Sequence, residues 1–307
     1  MAENNPKKED IAKLLYREGE RKYQDINGQE ISRYGAFVGT VIESYRTLPR
    51  AMEYARSLIQ GEAGSDCSVA SGTVILADTM THSKGRFARS WHAPRGGVWG
   101  CMIHSNTLLH QSRRFIPFAV GLSCCEAVQV FGAKKAKLRW VNDVLVAGKK
   151  IAGFLVEGFC EPIQGAEFTL VGFGININND SFPRELMESA VSLKQVVGKD
   201  IDITEFTTFF LSRLAWNFGL LYYEEARELE RGKYSGLGGR HLLVQRWREN
   251  SDSVGKKVIY GFDVMNEPQY QAEVVAVDDE GGLILRLAEG HLKTEYAGEI
   301  RYLKQPS

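Results

Sequence analysis

The pattern of apolar residues changes near Asn250, and this change predicts two folded parts of different kinds. Between Gly35 and Asn250, short runs rich in β-branched residues alternate with longer segments of helical periodicity, which is typical of a sheet covered by helices. From residue 254 to residue 303 only short strand-like runs occur, with a hairpin-turn composition at 278–282. We therefore expect an α/β (α+β) protein, in which a mixed β-sheet flanked by helices precedes a small C-terminal β-barrel.

The predicted elements divide the chain into three parts. Residues 1–33 are rich in charge, and the thin apolar stripe of Ile11, Leu14 and Leu15 predicts one helix with polar flanks. We assign 1–33 to a charged extension, 34–250 to the main domain and 251–307 to the small barrel. In the main domain, periodicity predicts strands over 38–45, 73–77, 97–104, 138–140, 151–158 and 168–177, and helices over 49–59, 114–131, 203–231 and 242–248.

Charge and composition exclude several classes of protein. Lysine plus arginine equals aspartate plus glutamate at 38 each, so no general positive field attracts nucleic acid, and we expect no nucleic-acid partner. The hydrophobic fraction of 44% suits a folded protein. No window approaches the roughly 18 apolar residues of a membrane span, and residues 1–10 are too polar for a signal peptide. We expect a cytoplasmic protein without a membrane partner.

Cysteine and histidine spacing argues against disulfide and zinc chemistry. The 5 cysteines are odd in number and lack C-x-x-C spacing, so we interpret them as small core residues. The 6 histidines show no metal-ligand spacing, and the chain has no nucleophile elbow or Walker loop. The chemistry that remains is the holding of anions, not covalent attack by a side chain.

Residues 84–91 form a loop of unusual composition. Lys84, Arg86 and Arg89 stand beside Gly85 and other small residues. Small residues let the backbone approach an anion while guanidinium groups grip its oxygens in pairs. Trp91 favours a ligand site here, because a large aromatic in a polar loop often shields a ligand. The alternative is a solvated basic surface loop, since charged runs usually face water.

A second candidate begins at the end of the predicted strand that contains Arg139. Asn142 and Asp143 supply oxygen atoms suited to Mg²⁺, a ribose or an amine, while Arg139 and Lys150 supply positive charge. Ligand sites are common at such strand ends. The alternative is a β-hairpin in which the Asn-Asp pair only makes the turn.

A third candidate is a strand that contains Gly172, Gly174 and Asn176. Glycine weakens a strand, so its presence indicates the close approach of a ligand or of another part of the chain. A β-bulge is the alternative.

Taken in order, the three candidates resemble motifs of the biotin protein ligase family. Residues 84–96 are similar to a glycine- and arginine-rich loop that ends in tryptophan and a Ser/Ala-Pro-x-Gly turn. Residues 139–143 resemble a Lys-Trp-Pro-Asn-Asp motif, and residues 150–157 resemble the Lys-hydrophobic-Ala-Gly strand that follows it. Residues 172–176 resemble a Gly-x-Gly-x-Asn strand. The resemblance runs from about Val41 to the C-terminus.

The resemblance implies a fold and a reaction. Residues 34–250 would be the ligase catalytic domain, and residues 251–307, with their Gly-Glu-Ile match at 298–300, an SH3-like barrel. In the implied first step, the carboxylate of biotin or a related acid attacks the α-phosphate of ATP, and pyrophosphate leaves with Mg²⁺. A lysine of an acceptor (carrier) protein then attacks the acyl-adenylate. Relatives often pair through a sheet edge, which implies a homodimer.

The same resemblance implies roles for the candidate residues. Arg86 and Arg139 would be catalytic, because cations near the reacting anions stabilise the developing charge. Asn142 and Asp143 would be Mg²⁺ or ATP ligands. The remaining substrate- and adenylate-binding residues would be Lys84, Gly85, Arg89, Trp91, Trp140, Asn142, Lys150, Gly153 and Asn176.

Departures from the family pattern leave the acid open. Arg139 stands where the family has its catalytic lysine, and residues 49–51 read Pro-Arg-Ala where the family has Ser-Thr-Asn at the biotin ring. Residues 79–82 replace a glutamine-rich entry to the loop. Lost hydrogen-bond partners change which acid a site selects. We expect an acid-adenylating ligase for biotin, lipoate or a fatty acid, with a non-catalytic binder of an acyl compound or nucleotide as the alternative.

Overall fold

A mixed sheet forms the centre of the structure, a computed structural model that describes residues 5–21, 26–61, 69–230 and 241–303. Its strands are β1 (Ile42–Leu48), β2 (Val74–Met80), β3 (Val98–Ser105), β4 (Lys137–Arg139), β5 (Asp143–Val146), β6 (Lys149–Cys160) and β7 (Glu167–Ile175). They form a 7-stranded sheet in the order β1-β2-β3-β7-β6-β5-β4. β1 and β2 are parallel, and the other neighbours are antiparallel. The predicted mixed sheet is confirmed.

Helices cover both faces of this sheet. They are α1 (Lys8–Gly19), α2 (Gly28–Gly35), α3 (Ala51–Ile59), α4 (His110–Arg113), α5 (Ile116–Val130), α6 (Leu193–Val197), α7 (Ile203–Glu230) and α8 (His241–Glu249). Successive strand residues point to opposite faces. Val74 accordingly lies in the core beneath α5 and α7, whereas Ile75 lies in a second core beneath α3. The α3 face is the one on which the functional candidates gather.

The N-terminal segment contains two helices where the sequence predicted one. The side chain of Asn27 caps α2, because its Oδ1 accepts a hydrogen bond from the Glu30 N–H at 3.3 Å. Ile11 and Ile31 lie in the same core as the apolar residues of α7. A Cβ at Gly219 would lie 2.1 Å from the Ile31 carbonyl oxygen. α7 thus packs against α2 at backbone distance, and the thin apolar stripe of α1 is buried in the same core.

A second, antiparallel sheet follows α8 and forms the small C-terminal barrel. Its strands are β8 (Lys257–Gly261), β9 (Tyr270–Val277), β10 (Leu283–Leu287), β11 (Leu292–Glu295) and β12 (Glu299–Tyr302), in the order β11-β10-β9-β8-β12. The predicted turn joins β9 to β10, where the Asp278 N–H donates to the Gly282 carbonyl at 2.8 Å. The barrel contacts the main domain at this turn, because Trp140 Nε1 donates to the Gly281 carbonyl at 3.1 Å. The predicted small β-barrel is confirmed.

The cysteines divide between core and surface. Cys101, Cys124 and Cys125 are buried and free, as predicted, but Cys160 at the end of β6 is exposed. Cys67 lies outside the described residues. Within the described ranges, no helix is long and apolar enough to cross a membrane.

His104 makes the stability of the fold depend on pH. Its side chain is buried against Phe37 and Phe218, with Nε2 2.7 Å from the Tyr222 hydroxyl. Burial lowers its pKa from 6.5 to about 4, so between these values the unfolded chain binds a proton that the folded chain does not. We expect this residue to lower the free energy of unfolding by up to about 3 kcal/mol as the pH falls from 7 to 4.

Urea unfolding at several pH values measures this effect. His104→Gln cannot take up the proton, so its free energy of unfolding should depend less on pH over this range than that of the wild type. Equal pH dependence in the two proteins would contradict the assignment.

Candidate active site

A cavity of about 960 Å³ lies on the α3 face of the sheet, where the sheet meets the barrel. Its walls come from β6 and β7, from the segment before β3, and from β12. Every site residue predicted from the sequence lines this cavity. These residues are Lys84, Gly85, Arg86, Arg89, Trp91, Arg139, Trp140, Asn142, Asp143, Lys150, Gly153 and Asn176.

Glycines on two paired strands form the floor of the cavity beneath Trp91. Gly153 of β6 lies opposite Gly174 of β7, and the register of this pair is regular. A Cβ at Gly174 would lie 2.6 Å from Trp91 Nε1, and one at Gly153 would lie 3.2 Å from Trp91 Cζ3. Close approach of side chains, rather than a bulge, therefore explains the Gly-x-Gly pattern: the indole lies against Gly174, and a Cβ at Gly172 would lie 2.6 Å from Met52 Sδ.

The basic loop is folded against the barrel. Phe87 and Ala88 have φ values of 53° and 56°, a left-handed conformation that costs non-glycine residues on the order of 1–3 kcal/mol each. Contacts with the barrel offset this cost: Arg86 Nη1 donates to the Gly298 carbonyl at 2.7 Å, and Arg89 forms an ion pair with Glu299. The alternative of a wholly solvated basic loop does not fit this packing.

The two arginine side chains of this loop are buried to different extents. Only 20% of the Arg86 side chain is exposed, against 36% of that of Arg89. Burial lowers the pKa of Arg86, while the nearby carboxylates of Glu299 and Asp143 act in the opposite direction. Glu299 thus neutralises guanidinium groups that an anionic ligand would otherwise contact, and a phosphate that binds here must replace it.

A carboxylate and two cations lie together at the base of the cavity. Asp143 Oδ2 pairs with Arg139, and Asp143 Oδ1 lies 2.5 Å from Lys150 Nζ. Burial alone would raise the pKa of Asp143, but Lys150 and Arg139 outweigh it and hold that pKa well below its ordinary value. Asp143 is therefore ionised at neutral pH, and the cluster keeps one net positive charge.

Strand register brings this cluster together. Arg139 of β4 lies opposite Asp143 of β5, and Asp143 in turn lies opposite Gly153 of β6. The intervening turn is fixed by Asn142, whose Nδ2 donates to the Phe154 carbonyl at 3.0 Å. The hairpin alternative was thus partly correct: these residues make a turn, and the turn positions charged side chains in the cavity.

The assignment of Asn142 and Asp143 as Mg²⁺ ligands does not fit this geometry. Both carboxylate oxygens of Asp143 are paired with cations. Asn142 Oδ1 accepts from Arg86 Nη1 at 3.4 Å, so its oxygen also faces a cation. Mg²⁺ requires oxygen ligands at about 2.0–2.1 Å and is repelled by neighbouring positive charge. Among the described residues, no cluster of three or more His, Cys, Asp or Glu could hold a metal ion.

Arg50 is a cavity residue that sequence reasoning noted only as a departure from the family. It is the N-cap residue of α3, its Nη1 donates to Glu53 at 2.8 Å, and its Nη2 lies 3.8 Å from Glu157. Within the described ranges, Arg50 Nε and Trp91 Nε1 are buried without a hydrogen-bond acceptor. Buried donors are normally satisfied, so an acceptor on a ligand would stabilise either group.

The barrel contributes residues that sequence reasoning did not assign to the site. Glu299 and Tyr302, both in β12, line the cavity. Tyr302 places its ring 5.8 Å from Arg139 Cζ. The one available signal was the match of residues 298–300 to the end of the family pattern, which gave no indication of a place in the cavity.

Known proteins resemble this chain in sequence. Residues 54–176 match the biotin/lipoate A/B protein ligase family. The bifunctional ligase/repressor BirA of Bacillus spizizenii is 27% identical over 232 residues, which are 75% of this chain and 66% of that protein. The biotin–acetyl-CoA-carboxylase ligase of Mycobacterium tuberculosis is 28% identical over 256 residues, which are 80% of this chain and 84% of that protein. The matched region thus spans just under two thirds of the length of this BirA.

Solved structures share the fold. Biotin protein ligase from Aquifex aeolicus, in complex with biotin and ATP, has a TM-score of 0.65 at 22% identity, covering 87% of this chain and 100% of that one. The ligase from Leishmania major in complex with biotinyl-5-AMP has a TM-score of 0.51 at 19% identity, covering 83% and 98%. Residues 54–176 thus resemble the biotin/lipoate A/B protein ligase family, and the chain shares the fold of solved biotin protein ligases.

Proposed function

We propose that this protein is an ATP-dependent biotin protein ligase, which forms biotinyl-AMP and transfers the biotinyl group to a lysine of a carrier protein. The observation that carries the proposal is that Arg86, Arg89, Arg139 and Lys150 line one cavity. Adenylation brings a carboxylate and a triphosphate together, and fixed positive groups offset their repulsion and stabilise the charge of the transition state.

In the first step, an oxygen of the acid's carboxylate attacks the α-phosphorus of ATP. The bond from this phosphorus to the oxygen that bridges to the β-phosphate breaks, and pyrophosphate leaves. Arg139 and Lys150 hold the reacting oxygens, while Arg86 and Arg89 exchange Glu299 for phosphate oxygens. Trp91, which lies against Gly153 and Gly174, covers the acyl-adenylate and excludes water.

In the second step, the ε-amine of the acceptor lysine attacks the acyl carbon of the adenylate. The bond from this carbon to the phosphate oxygen breaks, AMP leaves, and the new amide nitrogen loses a proton. The acyl group passes directly to the acceptor, so no side chain of the enzyme is modified.

Biotin is the proposed acid because the related Mycobacterium tuberculosis protein is a biotin–acetyl-CoA-carboxylase ligase by name. The cavity supports a partly polar acid, since apolar Met52 and Leu155 line it together with the unpaired donors Arg50 Nε and Trp91 Nε1. An unbranched fatty acid would leave both donors without an acceptor. Lipoate and octanoate are the competing acids.

Exchange of labelled pyrophosphate into ATP tests the proposal, with Mg²⁺ and one acid supplied at a time. We expect biotin to stimulate exchange, and lipoate and octanoate to have little effect. Exchange that depends on lipoate or octanoate instead would change the assigned acid. If none of these acids stimulates exchange, the proposed adenylation is wrong.

A non-catalytic binder on the same fold is the second candidate. It is favoured by Arg139, which stands where the family has its catalytic lysine and which differs from lysine in shape and hydrogen bonding. Calorimetry that detects tight binding of biotin and ATP, without pyrophosphate exchange, would favour this candidate over the ligase.

Further partners follow from the same proposal. A carrier protein with an exposed lysine would be the acceptor, and Mg²⁺ would enter with ATP. The protein would act in the cytoplasm, because its buried free thiols Cys101, Cys124 and Cys125 suit a reducing compartment. A homodimer would use an open sheet edge, for which the outer strand β1 is available. Sedimentation velocity at several concentrations tests the dimer.

A further inference from the structure

The carboxylate of Asp143 lies between two cations from neighbouring strands. Asp143 begins β5, with Arg139 of β4 opposite it on one side and Gly153 of β6 on the other. Its Oδ2 pairs with Arg139, and its Oδ1 lies 2.5 Å from Lys150 Nζ. Only 13% of the Asp143 side chain is exposed. A further ligand can therefore reach this carboxylate only by displacing one of the two cations.

Each of these cations also lies over an aromatic ring. Arg139 Cζ is 5.8 Å from the ring centroid of Tyr302, and Lys150 Nζ is 5.1 Å from that of Trp91. A ring face attracts positive charge. Each cation is thus held by the shared carboxylate and by a ring from a different part of the chain, which restricts side chains that are otherwise flexible.

We propose that Asp143 is a positioning residue that directs Arg139 and Lys150 toward the reacting anions, and that Mg²⁺ is bound by the nucleotide and not by Asp143. This inference rests on the proposed adenylation but not on which acid is activated. The family resemblance implied that Asp143 binds a metal ion, whereas this proposal gives it two protein side chains, Arg139 and Lys150, as its partners.

Charge supports this assignment. Two cations and one carboxylate leave one net positive charge beside the cavity, which attracts both a carboxylate and a phosphate. If Asp143 bound Mg²⁺ instead, at least one ion pair would break, and Arg139 and Lys150 would face a divalent cation at close range. Such like-charge contacts are costly in a poorly solvated site.

The kinetics of Asp143→Asn distinguish a positioning role from a role in binding Mg²⁺. Lys150→Met and the double variant complete a double-mutant cycle. Asp180→Asn is the matched control, because Asp180 also pairs with a lysine, Lys194, at 2.6 Å, but 78% of its side chain is exposed and it lies outside the cavity. The rate of pyrophosphate exchange is measured against biotin, ATP and Mg²⁺ concentration. Circular dichroism melting checks that each variant is folded.

We expect Asp143→Asn to lower kcat by about 10- to 30-fold, as loss of a supporting hydrogen-bond partner commonly does. The Mg²⁺ concentration that gives half-maximal rate should be unchanged, since the nucleotide holds the ion. In the Lys150→Met background, Asp143→Asn should have a smaller effect, because one of its two partners is already absent. Asp180→Asn should behave as the wild type.

A clear rise in the half-saturating Mg²⁺ concentration of Asp143→Asn would overturn the proposal, as would an undiminished effect in the Lys150→Met background. Titration of the full wild-type chain with Mn²⁺ alone, followed by electron paramagnetic resonance, gives a test without turnover. We expect the free-ion signal to persist, and its loss in the wild type but not in Asp143→Ala or Asp143→Asn, which lack the carboxylate, would also refute the proposal. This titration remains decisive if Asp143→Asn fails to fold, or if no acid supports exchange and the proposed function fails.

Discussion

Replacing Arg86 with alanine is expected to lower biotin-dependent pyrophosphate exchange by about 100- to 1,000-fold, the usual effect of removing one fixed donor to a developing negative charge. Arg86 is largely buried at the cavity wall and donates to the Gly298 carbonyl. In the proposed reaction it would therefore meet the ligand in a fixed orientation and in poorly solvated surroundings, where its charge has a large effect. The rate of exchange at saturating ATP and biotin measures this loss.

Arg95→Ala is the control for this prediction. Arg95 lies four residues after the basic loop (residues 84–91), is exposed and does not line the cavity, so its removal lowers the local positive charge without changing the cavity wall. We expect its exchange rate to stay close to that of the wild type. Equal losses in the two variants would mean that the loop acts only through its overall charge, and that Arg86 has no specific role.

Arg86→Lys separates charge from geometry. Lysine keeps the positive charge but cannot hold two acceptors in the fixed directions of a guanidinium group. We expect an exchange rate between those of the wild type and Arg86→Ala, because a lysine supplies the charge but can grip the phosphate only as a single point charge. Full activity in Arg86→Lys would show that two-point binding is unnecessary.

The strongly periodic elements were predictable from sequence, and the weak ones were not. The helix predicted over 203–231 and the strands predicted over 97–104 and 168–177 match α7, β3 and β7 within about two residues. These are the elements with continuous apolar runs. β11 could not be predicted as a separate strand, because Leu292–Glu295 is mostly exposed and its sequence has no alternation of apolar and polar residues.

The predictions failed for β5 and for the start of β1 for a different reason. β5 has 4 residues and begins at Asp143, which the sequence placed in the connection after the predicted strand 138–140, as part of a ligand site or, alternatively, of a turn. β1 begins at Ile42, four residues after its predicted start. Val38, the predicted start, is buried in the connection from α2, and a buried β-branched residue in a connection has the same local appearance as one in a strand.

The residues of the site were predictable as local motifs, but their partners were not. The basic loop, the Arg139–Asp143 segment and the glycine strand could each be identified because glycine, arginine and tryptophan combinations are unusual. The partners of Asp143 depend on the register of β4, β5 and β6. The contact between Arg89 and Glu299 joins residues 210 positions apart. Neither the strand register nor this long-range contact can be predicted from a short stretch of sequence.

Replacing Gly174 with alanine is the second prediction of large effect, and it tests the cavity floor directly. A Cβ at this position would lie 2.6 Å from Trp91 Nε1 and 2.7 Å from Trp91 Cε2. The indole must therefore move away from β7. Displacement of a positioning group by about 1 Å can lower a rate by about 100-fold, and we expect a loss of this size in biotin-dependent pyrophosphate exchange. The tryptophan fluorescence of the protein, to which Trp91 contributes, should change in the same variant.

Gly158→Ala provides the matched control for Gly174→Ala. Gly158 lies in β6, beside β7, and a Cβ there would meet no atom within 4 Å. Neither glycine has a positive φ, so both substitutions remove the same backbone freedom and differ in the space around the new methyl group. Gly158→Ala should retain wild-type exchange. If Gly174→Ala does so too, with its melting temperature unchanged, Trp91 does not need to lie against the strand for the acyl-adenylate to form, and the proposed covering role of this indole is wrong.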